Sequence, residues 1–253
     1  GYDWKNLWYI PLDEREVKDG NVSYTGQRPE KFLGVEHGRI PKGMYKIPNT
    51  ERGVDPSVSP DGTKVAYFEY TDGTLNLVTI NIDGTDKKRL TNFTDGTWLQ
   101  RVDWSPDGKT LAVAMFRQFQ QDIYLMDADG GNVRALMFDR WEDNDPEFTK
   151  NGDILFCSDR TGVMQIYRWN HESGTVMQVT NTIGGAEAPA ETPGGHVVYL
   201  AYHANGNKVE GVQRADFLEK DVTADFGLNP DPVAVKAAYE FREDLSAYVP
   251  VKY

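Results

Sequence analysis

The sequence is nearly free of cysteine and has no long hydrophobic run. Its 253 residues include one cysteine, Cys157, which excludes an internal disulfide, a cysteine-rich zinc site and a Cys-x-x-Cys-His haem attachment. The longest apolar runs, residues 111–116 and 197–202, have six residues each, far short of the roughly 18 that a membrane helix needs. A membrane-spanning helix is therefore excluded.

Positive charge is also scarce. The chain has 27 Lys and Arg against 39 Asp and Glu, a formal net charge of -12, and its one basic run is Lys87-Lys88-Arg89. Because an acidic protein repels phosphate, we do not expect nucleic acid as a partner. Aromatic residues make up 12% of the chain, so it can bury a core and is not disordered throughout.

The motifs of several enzyme classes are missing. The chain has no Gly-x-Ser-x-Gly, no His-Glu-x-x-His and no glycine-rich phosphate loop. The Asp-rich turn at residues 127–132 lacks the Glu of a calcium loop at its twelfth position, where Phe138 stands, and is interpreted as a hairpin. We therefore expect no metal and no cofactor.

What the sequence does contain is a repeat. Ser-Pro-Asp-Gly occurs at residues 59–62 and 105–108, with weakened copies at 149–152 and 192–195, so the spacings are 46, 44 and 43 residues. Each copy is followed by an apolar strand pattern. In the first three copies an alternating strand pattern and a glycine-containing hairpin turn come next. A period of about 40–45 residues built from short strands is typical of β-propeller blades.

The repeat predicts an all-β propeller with about four to five four-stranded blades. A proline marks the entrance to the first strand in three of the four copies. The fourth copy fades after its second strand, and its third strand is placed at Lys208–Gln213. The expected blades lie near residues 55–92, 101–138, 145–181 and 188–214.

The two ends of the chain depart from the repeat. Residues 1–54 are expected to form a partial first blade, with Glu30–Leu33 as its fourth strand, followed by an irregular loop over 34–49. Residues 55–214 form the propeller repeats, and residues 215–253 are a C-terminal extension that is helical over 233–245. Either the chain is the later part of a longer propeller, or its ends complete one shared blade and close a small ring.

Residues 103–136 carry the repeat most completely. They contain Asp103-Trp104-Ser105-Pro106-Asp107-Gly108, then Asp122-Ile123-Tyr124, then Asp127-Ala128-Asp129-Gly130-Gly131 and Leu136. This pattern resembles the TolB-type propeller repeat, a relative of the WD repeat, over about residues 55–214. The resemblance implies a propeller that usually binds proteins, often in the bacterial cell envelope, and that also occurs beside serine-peptidase domains. An N-terminal TolB domain is not recognisable, so the role of TolB itself does not carry over.

Candidate ligand-binding residues cluster at one mouth of the predicted channel. Trp98 and Trp141 lie in the loops before first strands and are either ligand anchors or caps on the blades beneath them. A charged ring is expected at the channel mouth, either as a ligand site or as a solvated rim. It consists of Asp55, Arg101 and Asp145, with Asp103 and Glu147 two residues further in.

The function predicted from these features is a non-catalytic protein- or peptide-binding scaffold in a periplasmic or extracellular bacterial assembly. An alternative is that the chain is the propeller portion of a larger enzyme, a peptidase or redox complex, whose catalytic module lies elsewhere. A third possibility is an enzyme with its site in the channel, for which Asp103 and Glu147 are the acid/base candidates.

Overall fold

The computed structural model describes residues 7–9, 15–18, 21–24, 45–71, 73–117, 119–228 and 230. These residues form strands and loops, apart from two 3-10 helices at Arg214–Asp216 and Thr223–Asp225. Most strands belong to four antiparallel sheets in which neighbouring strands follow each other along the chain. The predicted all-β propeller is confirmed.

The strands of the four blades follow the repeat. Blade 1 consists of β5 (Gly53–Val58), β6 (Lys64–Thr71), β7 (Thr74–Asn81) and β8 (Lys88–Arg89). Blade 2 consists of β9 (Trp98–Trp104), β10 (Thr110–Arg117), β11 (Gln120–Asp127) and β12 (Arg134–Ala135). Blade 3 contains β13 (Asp143–Phe148), β14 (Ile154–Ser158), β15 (Gln165–Trp169) and β16 (Val176–Gln178). Blade 4 contains β17 (Ala186–Glu191), β18 (Val197–His203) and β19 (Gly206–Val212).

Neighbouring blades pack face to face through their second strands. In β14, Ile154 and Phe156 face blade 2, whereas Leu155 and Cys157 face blade 4, and all four side chains are buried. Alternate residues point to opposite faces of a strand, so a strand between two blades must be apolar at every position. This explains the continuous apolar run after each Ser-Pro-Asp-Gly turn.

A β-bulge interrupts the first strand of each blade. Asp55, Arg101, Asp145 and Ala188 occupy equivalent positions there, with φ between +43° and +50°, and the strand register shifts at the same point. In three blades a proline follows immediately. The prediction that proline marks the strand entrance was wrong, because these strands begin three residues before it; proline is tolerated there because the bulge interrupts the ladder.

Leu7 and the residues around the strand Tyr45–Lys46 lie against blade 1. β1 (Trp8–Tyr9) pairs with β4 (Tyr45–Lys46), and Leu7 and Ile47 pack with Val65 and Tyr67 of β6. A strand therefore lies within the segment that was expected to be an irregular loop. A separate hairpin joins β2 (Arg15–Lys18) to β3 (Asn21–Tyr24). The fourth strand predicted at Glu30–Leu33 lies outside the described residues.

The chain leaves blade 4 after its third strand and returns to blade 3. β19 overlaps the third strand predicted at Lys208–Gln213 and pairs with β18 along its whole length, so blade 4 departs from the repeat after its third strand and not after its second. Beyond the first 3-10 helix, β20 (Lys220–Asp221) pairs with β16 and makes blade 3 five-stranded. The extension predicted from residue 215 is thus, in part, an added strand of an earlier blade. The helix predicted over 233–245 lies outside the described residues.

Arg160 holds this returning segment, residues 217–228, against blade 3. Its side chain is 5% exposed, and its guanidinium donates to the carboxylates of Asp139 and Asp143 and to the backbone carbonyl of Asp225. It also lies over the ring of Phe226, which packs against Phe156 and Tyr167.

Several carboxyl groups share this one buried cation. Burial raises the pKa of Asp122 to about 8 and that of Asp143 to about 7, and the Arg160 charge opposes both shifts. The burial of these carboxyl groups therefore depends on Arg160, because without its positive charge no other charge would compensate theirs.

We expect Arg160→Ala to lower the free energy of unfolding by about 3–5 kcal/mol, because it leaves buried carboxylates unpaired and frees the returning segment. Urea unfolding of the full chain measures this. Lys109→Ala, at an exposed ion pair, is the control and should change stability by less than about 0.5 kcal/mol. A loss below about 1 kcal/mol in Arg160→Ala would contradict the assignment.

Candidate binding site at the channel mouth

One face of the propeller carries the loops that lead into the first strands. Because each sheet is antiparallel, the start of a first strand lies beside the end of the second, as the pairing of Trp98 with Phe116 shows. The turns between second and third strands therefore lie on the same face. We call it the mouth face.

Exposed hydrophobic side chains are concentrated on the mouth face. Of the twelve large hydrophobic residues exposed in the described part of the chain, seven lie there. They come from all four blades: Tyr70, Trp98, Phe116, Phe119, Val163, Ile183 and Tyr202. The opposite face carries the Ser-Pro-Asp-Gly turns, whose polar side chains bond to their own backbone, as Asp61 does to Thr63.

Blades 1 and 2 contribute the aromatic part of this surface. Trp98 is 43% exposed and meets Tyr70, 41% exposed, edge to face with ring centroids 6.4 Å apart. Phe116 is the strand partner of Trp98, and Phe119 in the adjoining turn is 80% exposed. Sequence reasoning singled out Trp98 but missed the other three. Hairpin register, counted back from the turn that contains Phe119, would have placed Phe116 near it.

Trp141, the second predicted anchor, has a different environment. Its side chain is half-buried, and the guanidinium of Arg140 lies 4.4 Å from its ring centroid. The Trp141 backbone N–H donates to the carboxylate of Asp139, which also binds Arg160. The backbone of Trp141 is thus tied to the buried group of Asp139, Asp143 and Arg160. Its ring contacts Arg140 rather than Trp98.

The predicted charged ring lies along the channel wall, where it joins neighbouring blades. The Arg101 Nε donates to Asp145 Oδ1 at 3.1 Å, from blade 2 to blade 3. The other oxygen of Asp145 accepts the backbone N–H of Ala188 in blade 4. Asp55, at the equivalent position of blade 1, is exposed and does not line the channel pocket with the others.

Asp103 and Glu147 lie deeper in the same channel. Asp103 accepts hydrogen bonds from the Ser57 hydroxyl of blade 1 and from the Phe148 N–H of blade 3, so both its oxygens are engaged. Burial and the neighbouring Asp103 charge raise the pKa of Glu147 to about 7, while Arg101 opposes the shift. In the described part of the chain, no group of three or more His, Cys, Asp or Glu could hold a metal ion.

We expect Glu147→Gln to stabilise the protein only at high pH. The folded-state pKa of Glu147 lies above its unfolded value of 4.5, so its ionisation disfavours folding increasingly from pH 4.5 to about 7, and fully above that. The variant should raise Tm by about 2–4 °C at pH 8.5 and by much less at pH 5. Calorimetry measures this, with Glu187→Gln at an exposed carboxylate as control. An equal rise at both pH values would contradict it.

The chain is similar to curated bacterial proteins over its propeller region. It is 29% identical over 170 residues to an uncharacterized protein of Agrobacterium fabrum, covering 66% of this chain and 56% of that protein. It is also 29% identical over 167 residues to the Tol-Pal system protein TolB of Francisella tularensis, covering 64% of this chain and 37% of the relative. The chain thus spans only about half the length of the first relative and about a third of the second.

Solved structures share the fold. A protein of Agrobacterium tumefaciens assigned to TolB matches with a TM-score of 0.62 and 25% identity, covering 72% of this chain and 70% of that one. Puromycin hydrolase matches with a TM-score of 0.57 over 75% of this chain and 31% of its own, but at 17% identity this shows the fold alone. The family model of the TolB beta propeller domain matches residues 46–232, which are most of the chain. The chain therefore belongs to this family.

Proposed function

We propose that this chain is a non-catalytic propeller module that binds a protein or peptide on its mouth face. The observation that carries the proposal is the concentration of exposed hydrophobic side chains on that face, which includes Tyr70, Trp98 and Phe119 of blades 1 and 2. Exposed apolar surface is costly unless a partner covers it, and aromatic residues supply much of the binding energy at protein interfaces.

The channel supports a binding role better than a catalytic one. Asp103, an acid/base candidate, has both oxygens engaged in bonds to neighbouring blades, so its carboxylate is committed to holding the ring. Glu147 has a pKa near 7 but no second carboxylate free to act with it in the described part of the channel. A general acid/base pair needs two groups that can both reach a substrate.

We further infer a place in the bacterial cell envelope or outside the cell. The similarity to a protein named for the Tol-Pal system supports this inference. No helix in the described part of the chain is long and apolar enough to cross a membrane. Fractionation of the source cells tests it, and recovery of the native protein with the cytoplasm would overturn it.

Replacement of Trp98 or Tyr70 should weaken binding. We expect Trp98→Ala and Tyr70→Ala each to reduce affinity about 5- to 30-fold, because each removes an exposed ring that a partner would cover. The probes are 12-residue peptides selected from a phage-displayed library against the purified chain, and fluorescence anisotropy measures their affinity.

The matched control is Val133→Ala, at an exposed apolar residue in the turn between β11 and β12, away from the mouth face. Its affinity for the selected peptides should equal that of the wild type. A library that yields no binder, or binders indifferent to both aromatic replacements, would overturn the proposal.

A further inference from the structure

Within the part of the chain that the structure describes, blade 4 has an open edge where the other three blades have a fourth strand. In blades 1, 2 and 3 the third strand pairs with β8, β12 and β16. In blade 4 the third strand, β19, pairs only with β18 among the described residues. The described residues that follow it turn into the 3-10 helix at Arg214–Asp216 and then pair with blade 3 instead.

The repeat identifies the backbone groups left open on this edge. Strand register places Val209 at the position of Leu77, Ile123 and Ile166, since each lies opposite the same residue of its second strand. Each of those three carbonyls accepts an N–H from the residue that follows the fourth strand, at 2.8 Å; the donors are Leu90, Leu136 and Val179.

In two of the blades, the backbone N–H of the residue equivalent to Val209 donates to a threonine hydroxyl. The N–H of Leu77 donates to the Thr91 hydroxyl, and that of Ile166 donates to the Thr180 hydroxyl, both at 2.9 Å. By the same register, the N–H and C=O of Val209 point away from β18. The side chain of Val209 is 76% exposed, whereas those of Leu77, Ile123 and Ile166 are fully buried.

We propose that the free edge of β19 binds an extended segment of another polypeptide, which adds to blade 4 as its fourth strand. The segment carries a Leu-Thr or Val-Thr pair, with the Leu or Val N–H donating to the Val209 carbonyl and the Thr hydroxyl accepting the Val209 N–H. This is strand addition to an exposed sheet edge, separate from the mouth face.

Two charged residues of β19 define the partner further. Glu210, one of whose oxygens is hydrogen-bonded to His203, is equivalent to Val78, which lies opposite Arg89 of β8. A basic residue just before the Leu or Val would lie opposite this carboxylate and complement its charge. Lys208 is equivalent to Asn76, Asp122 and Gln165. In the other blades these side chains accept an N–H from the residue three positions after the Leu or Val. Lysine cannot accept, so an acidic residue fits that place.

The blade 1 sequence supplies a probe of this chemistry. A capped peptide with the sequence of residues 86–93, carrying Phe93→Asp, contains the basic residue, the Leu-Thr pair and the acid at the required spacing. We expect it to bind the full chain, as measured by isothermal titration calorimetry. N-methylation of its leucine removes the N–H that reaches the Val209 carbonyl and should weaken binding at least tenfold.

A matched pair of protein variants tests the same contact from the other side. Val209→Pro removes the outward N–H without touching the bonds between β18 and β19, and should weaken binding at least tenfold. Val209→Thr keeps both backbone groups and a β-branched side chain, so its affinity should stay within about twofold. No binding by the wild type, or equal affinity in Val209→Pro, would overturn the proposal.

Hydrogen exchange of the free chain distinguishes an open edge from one that is filled by another part of this chain or by a second copy. An open edge predicts fast exchange at the Val209 amide and slow exchange at the Leu77 and Ile166 amides. Slow exchange at Val209 that persists on dilution would mean that another part of this chain fills the edge. Slow exchange that is lost on dilution would mean that a second copy does. Either result would overturn the proposed external partner.

Discussion

The structure depends on the burial of each second strand between two neighbouring blades. β14 buries one set of alternate residues against blade 2 and the other against blade 4, so its strand is apolar at every position. Burial of each large apolar side chain contributes about 1.5–3 kcal/mol, and this packing repeats between successive blades. Because each blade contacts only its neighbours, the fold is a chain of similar interfaces, and a blade without a neighbour on one side exposes apolar surface. Leu200 and Val209 of blade 4 show this exposure.

Polar contacts near the channel join neighbouring blades in addition to the apolar faces. Asp103 links blade 2 to blades 1 and 3, and Asp145 links blade 3 to blades 2 and 4. A β-bulge bends the strand at Asp145 itself and two residues before Asp103, where these side chains reach across to the next blade. Three of the charged residues that the sequence predicts as a ligand site, Arg101, Asp103 and Asp145, thus connect neighbouring blades. The exposed aromatic residues of the mouth face form the surface that we propose binds a partner.

The segment after blade 4 departs from the repeat, and this departure changes both blade 3 and blade 4. By joining blade 3 as a fifth strand, it buries Phe226 against Phe156 and Tyr167 and places Arg160 among buried carboxylates. The same path leaves β19 without a fourth strand in the described part of the chain. One rearrangement therefore stabilises blade 3 and creates an edge on blade 4 that can accept a strand.

The sequence by itself determined the blades, because a two-sided apolar strand, an alternating strand and a Gly turn repeat at a fixed spacing, and each is a local pattern. It also placed Arg101, Asp103, Asp145 and Glu147 on the first strands, whereas Trp98, which was expected in a loop, begins β9. Tertiary structure alone decided which of them touch: Arg101 with Asp145, Asp103 with Phe148, and Trp98 with Tyr70. It also decided the path of residues 217–228 and the open edge at Val209. Both depend on contacts between residues far apart in the chain, and no local periodicity records such contacts.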